Sequence, residues 1–187
     1  QYATDDKIMK KSIKLLIVSS LTLTSALSQA QLTLKETYKE AFKMGVAVND
    51  AIVSGQDKAS QAIVVKQFNT ITLENSMKAG LINPQPGVFR YEPADAYVEF
   101  GKKNNMFIIG HTLVWHNQTP AWFFQDENGK PKPKEEVAQR LHDHIKTVAG
   151  RYAGKVDAWD VVNEVIDDDG SYRPTTLVQQ DMIKNAY

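Results

Sequence analysis

The chain has 187 residues, 42% of them hydrophobic and 24% charged, a balance that fits one globular domain with a core. Its 22 basic and 22 acidic residues cancel, so no net field draws in nucleic acid or an anionic membrane surface, and a neutral substrate fits at least as well. The absence of Cys excludes disulfides, thiol nucleophiles and zinc–thiolate sites.

In chain order, Met9-Lys10-Lys11 and Lys14 lead into the short apolar run Leu15 to Leu23, and Ser28-Gln29-Ala30 supplies small residues for cleavage. This is the pattern of a secretory signal over 9–30, and the run is too short and too hydroxylated to favour a membrane span. The expectation is a secreted or periplasmic protein with no stable membrane association after cleavage. Residues 1–8 precede Met9 and receive no role.

Leu34, Tyr38, Ala41 and Phe42 fall at helical spacing, and a first strand follows over 44–48. A helix over 57–68 leads to a second strand over 69–73. Asn83-Pro84-Gln85-Pro86-Gly87 is a turn-rich link, after which Pro93 opens a helix with Ala94, Tyr97, Val98 and Gly101 on one face. The third strand is expected over 106–110, and the connection from His111 to about Pro133 is long and aromatic, at Trp115, Trp122, Phe123 and Phe124. A loop of that length in a compact domain is functional or disordered, and the aromatics argue against disorder. A helix from Lys134 to about Tyr152 carries the stripe Val137, Leu141, Ile145, Val148 and Tyr152. The fourth strand, from Val156, ends in Asn163-Glu164; 177–187 reads weakly helical.

Each strand finishes in polar groups: Asn49-Asp50, Glu74-Asn75, His111 and Asn163-Glu164. Helices alternate with these strands, which offers an open doubly wound sheet or a closed barrel. No G-x-G-x-x-G follows the first strand, so a dinucleotide fold is disfavoured, and polar strand ends are how a parallel barrel builds its active-site rim. The expected fold is therefore an α/β TIM (β/α)8 barrel over 34–187, truncated to about its first four βα units. A whole barrel takes eight strands and about 250 residues.

Three stretches in particular, Glu74-Asn75 with Met77-Lys78, Gly110-His111-Thr112-Leu113-Val114-Trp115-His116, and Trp159-Asp160-Val161-Val162-Asn163-Glu164, resemble the N-terminal active-site motifs of the family-ten glycoside hydrolases, the endo-1,4-β-xylanases. The likeness runs from about Leu34 to Tyr172 and weakens past Arg173. It implies a retaining hydrolase of internal β-1,4-xylosidic bonds, acting on xylan or xylo-oligosaccharide without a cofactor. Glu164 then resembles the general acid/base, and Asn163 the amide that binds the hydroxyl beside the anomeric carbon. Glu74, Asn75 and Lys78 resemble a sugar-gripping set. His111 resembles a sugar-binding histidine, Trp115 an apolar wall, and His116 with Gln118 further polar lining. The resemblance also implies a cis His111–Thr112 peptide.

Plainer roles stand beside these. Glu74 and Lys78 could form an ordinary i,i+4 helical ion pair, Trp115 could be core, Asn163 could cap a strand end, and Asn49 reads as structural. Trp159 and Asp160 are assigned to packing and hydrogen bonding inside the barrel. No metal set is expected: His111 and His116 leave a strand, and His142 and His144, at i,i+2 on a helix, point their rings to different sides. The family's attacking Glu lies at its seventh strand, and no residue here matches it. Asp167, Asp168 and Asp169 follow Glu164 too closely to stand across a sugar ring from it. The chain alone is therefore expected to hydrolyse nothing. The alternatives are a noncatalytic carbohydrate-binding half-barrel and another barrel β-glycanase such as a cellulase.

Overall fold

The computed structural model describes residues 32–172; the signal-like segment, residues 1–8 and the weak helix expected over 177–187 lie outside the described residues. Four strands, β1 (Gly45–Val48), β2 (Thr70–Leu73), β3 (Phe107–Trp115) and β4 (Ala158–Asn163), pair in parallel in the order β1-β2-β3-β4. The helices are α1 (Leu34–Thr37), α2 (Asp50–Ser54), α3 (Lys58–Gln67), α4 (Ala79–Ile82), α5 (Glu92–Lys103) and α6 (Lys134–Arg151), with a 3-10 turn over Ala121–Phe123. Strand order that never reverses is the winding of a barrel, since a doubly wound sheet changes direction at a switch point.

Local chemistry sets the element ends. Thr33 and Glu36 form a reciprocal capping box at α1, which stops at Thr37 rather than continuing to Phe42. Asn49 accepts from the Ile52 amide as the N-cap of α2, confirming its structural reading, and Gly55 closes that helix at φ 78°. Asp57 caps α3 through the Ser60 amide at 3.0 Å. Helix α5 has Glu92 and Asp95 in its first turn and Lys102 and Lys103 in its last, matching the helix dipole at both ends.

The core lies between the sheet and the helices. Ile71, Leu73 and Ile108 from the strands meet Tyr97 and Val98 from α5, Val148 from α6 and its C-cap Tyr152, all nearly or fully buried. Tyr97 takes its hydroxyl into this layer and donates to the carbonyls of Ile71 and Ile109 at 2.7 and 2.9 Å, which satisfies the buried O–H. Two glycines are set by contact. A Cβ on Gly101 would come within 2.6 Å of Ile108, and one on Gly110 within 2.3 Å of the Trp159 ring, so only hydrogen lets α5 and the β4 indole approach β3 this closely.

Strand β3 differs from its expected length. It runs nine residues, through His111 to Trp115, with a register irregularity against β4 between His111 and Val114. The pairs His111–Asp160, Val114–Val162 and Trp115–Asn163, with the Thr112 hydroxyl donating to the Asp160 carbonyl, keep this segment in the sheet, so His111 and Trp115 sit on a strand and not in a loop. The His111–Thr112 peptide is cis. Helices α2 and α4 leave no signal in the sequence, because each is about one turn, too short to show periodicity.

Candidate active site

Parallel register gathers the strand tips at one end. Thr72 pairs with Ile109, so Glu74 stands level with His111, and His111 pairs with Asp160 on β4. Glu74, Asn75, His111, Trp115, Asn163 and Glu164 therefore share one rim.

At the β2 tip, the Glu74 amide donates to Val48 at 2.9 Å and prolongs the ladder one step. The Ser76 hydroxyl bonds the Asp50 carboxylate at 2.7 and 2.9 Å, tying this tip to the start of α2. Lys78 is 7% exposed; its ammonium donates to Asn75 Oδ1 at 3.1 Å and lies 4.5 Å from the centre of the Trp115 ring. A buried ammonium needs such partners, here a carbonyl dipole and an aromatic face. The alternative of an i,i+4 ion pair with Glu74 fails because Lys78 is the N-cap of α4 with extended backbone, so residues 74–78 are not one helix.

At the β3 tip, His111 Nδ1 is 2.9 Å from Asp160 Oδ2. A carboxylate can only accept, so Nδ1 carries the proton and, in the neutral ring, Nε2 becomes the acceptor. The Thr112 hydroxyl donates to the Asp160 carbonyl at 2.7 Å. Asp160 thus makes the hydrogen bond expected of it, and that bond sets the His111 tautomer. Only the register between β3 and β4 reveals this, since the two residues are 49 apart in sequence.

At the β4 tip, Glu164 adopts φ 54°. The left-handed region costs a non-glycine residue roughly 1–2 kcal/mol. The Trp115 indole N–H donates to Glu164 Oε2 at 2.9 Å, and His116 Nε2 lies 3.8 Å from the same oxygen. Asn163 is paired with Trp115 across the strands. A chain of contacts therefore runs from Glu164 through Trp115 and Lys78 to Asn75. The side chains of Glu74 and Gln118 make no hydrogen bond or ion pair to this chain among the described residues. Gln118 contributes through its backbone, whose carbonyl accepts from the Gly80 amide at 2.7 Å. The other two histidines lie apart from the rim set: His142 is exposed beside Asp143, and His144 is buried in α6.

The family model for Glycosyl hydrolase family 10 matches residues 33–187. The chain belongs to this family. The match runs beyond Tyr172, where the motif likeness weakened. The chain is 44% identical over 180 residues to an endo-1,4-beta-xylanase/feruloyl esterase of Xylanibacter ruminicola, covering 91% of this chain and 24% of that protein. It is 47% identical over 164 residues to endo-1,4-beta-xylanase A of Thermotoga neapolitana, covering 82% of this chain and 15% of the relative. Among solved structures, a family-10 endoxylanase retrieved from a sugarcane soil metagenome superposes with a TM-score of 0.73 at 43% identity, over 82% of this chain and 46% of that one. A mutant structure in complex with xylotriose superposes with a TM-score of 0.72 at 42% identity, covering 83% of this chain and 48% of its own. The four-stranded sheet is thus the first part of a TIM barrel, and this family-10 chain spans less than half the length of these relatives.

Proposed function

We propose that this chain carries the acid/base half of a retaining endo-1,4-β-xylanase active site. The observation that carries the reading is Glu164: a strand-end carboxyl held by the Trp115 indole on the rim that also presents His111, Lys78 and Asn75. Glu164 protonates the departing glycosidic oxygen while a second carboxylate, about 5–5.5 Å away, attacks the anomeric carbon from the other side of the ring. After the glycosyl–enzyme bond forms, Glu164 takes the proton from the water that breaks it.

The remaining rim residues hold the sugar. Asn163 meets the hydroxyl beside the anomeric carbon, and His111 Nε2, oriented by Asp160, takes a neighbouring hydroxyl. Asn75 and Lys78 grip the next sugar, with Glu74, His116 and Gln118 as further polar lining and Trp115 as the apolar wall. We assign the attacking carboxylate to no described residue: Asp160 is engaged by His111, and Asp167 to Asp169 share a loop with Glu164. The chain by itself is proposed to bind xylo-oligosaccharide without hydrolysing it. Export through the 9–30 segment is part of the same reading, since xylan is an extracellular polymer.

The test joins the chain to the rest of a family-10 barrel. Xylan hydrolysis with retained anomeric configuration is expected from the joined protein. Glu164→Gln should lower its kcat by about 10²–10⁴-fold, the usual worth of a positioned proton donor. Appreciable xylan hydrolysis by the purified 187-residue chain would overturn the assignment of the missing nucleophile.

A further inference from the structure

The one-turn helix α4 begins at Lys78, the residue that grips Asn75 and Trp115, and a helix of four residues cannot hold itself. Its far end is pinned instead. Asn83 and His144 are each 2% exposed, and the His144 Nδ1 lies 3.2 Å from the Asn83 carboxamide. Of the two amide orientations, only one gives every neighbour a partner. In that orientation the Asn83 nitrogen donates to the carbonyls of Gln85 and Val88 at 2.8 and 3.0 Å, and its oxygen accepts from His144 Nδ1. The backbone carbonyl of Asn83 also accepts from the Trp122 indole at 3.3 Å. Phe123, next along, meets the imidazole edge-on at 5.3 Å and 86°.

The middle of α4 is held from the same side. The Gly80 amide donates to the Gln118 carbonyl at 2.7 Å, and a Cβ at Gly80 would come within 2.6 Å of that oxygen. The loops after β2 and after β3 are therefore locked to each other at Gly80–Gln118 and at Asn83–Trp122. Both are locked to α6 through His144.

We propose that His144 is a positioning residue for the sugar grip: its Nδ1–H fixes Asn83, which fixes α4 and thereby places the Lys78 ammonium over Trp115. This deepens the xylan-binding reading and rests on it. His144 touches no sugar; it acts through Asn83.

Two variants separate this role from core filling. His144→Leu keeps an apolar volume and removes the donor, whereas His144→Asn loses volume but can place an amide N–H near the position of Nδ1. Hydrogen exchange of the Ile82 and Asn83 amides and of the Trp122 indole, followed by NMR on the whole chain, is expected to speed up by about fivefold to tenfold in the Leu variant, the worth of one buried hydrogen bond. The Asn variant should recover most of that protection, with the α6 amides unchanged in both. Xylotriose titrated into the same samples should bind about fivefold to tenfold more weakly to the Leu variant and close to wild type in the Asn variant. The imidazole ¹⁵N shifts should report the Nδ1–H tautomer. A ranking in which Leu matches or exceeds Asn in both exchange and binding would overturn the proposal and leave His144 as packing. Wild type that fails to bind xylotriose, with the exchange ranking as expected, would instead sink the sugar-binding reading while the pin stands.

Discussion

The β2 tip and the β4 tip of this rim are built differently. After β2, Ser76, Met77 and Lys78 are all buried, and the segment is tied to α2, β3 and α6 by side chains from each. Along β4, Val161 and Val162 are 52% and 40% exposed, and the Trp115 indole on β3, the neighbouring strand among the described residues, donates to Glu164. The proposed grip on sugar is organised within the described residues. The proposed proton donor, Glu164, lies beside the Trp115 indole and His116 on the outer strand of the described sheet. Binding residues can be completed by local packing, whereas a donor that works across a sugar ring needs a partner from the opposite wall of a barrel.

The largest expected effect tests the packed side of that contrast. Met77 is fully buried beneath the β2 tip, and Met77→Ala should cost about 3 kcal/mol in urea unfolding, as removal of a buried side chain leaves a cavity. A loss below about 1 kcal/mol would mean that the β2 tip collapses freely and is no more organised than β4.

A comparable effect should appear on acidification. Burial pushes the His144 pKa down to about 4, and no charged group contributes to the shift. An unfolded histidine titrates near 6.5, so between those values the unfolded chain binds the proton first. The stability that comes from keeping this ring neutral is whole above about pH 6.5, falls as pH drops toward 4, and levels off below; the full fall is about 3 kcal/mol. Urea unfolding of wild type and His144→Leu at pH 7, 5.5 and 4.5 isolates it from the carboxylates. The gap between them should move in the variant's favour as pH falls, and a constant gap would place His144 in a wetter site.

The smallest effect belongs to the β4 side. Trp115→Phe keeps a ring beneath Lys78 but removes the donor to Glu164. With Glu164 about half exposed, the cost should be about 0.5–1 kcal/mol by urea unfolding. A loss as large as that of Met77→Ala would erase the contrast between the two tips.

Much of this was readable in one dimension. Apolar runs ending in Asn49, Asn75, His111 and Asn163-Glu164 gave the four strands and their common rim, because a parallel βα winding puts every strand's end on one side. The α6 stripe was equally plain: Val137, Leu141 and Val148 are buried as its spacing required. Strand β3 runs five residues past Gly110, the last residue of its apolar run, because Thr112 to Trp115 have the look of loop once His111 is taken as the tip. One-turn helices such as α2 and α4 have no period to detect.

What sequence alone determined was the alternation of elements and the polar strand ends, since these depend on neighbours two to four positions away. Tertiary structure decided the pairings: His111 with Asp160 and Trp115 with Glu164, 49 residues apart, and Asn83 with His144, 61 apart. It also decided that Lys78 is buried against an aromatic face and not paired with Glu74. The physical reason is that a polar side chain taken out of water must find a partner wherever the fold brings one. That choice depends on which surfaces meet when the sheet and helices close together.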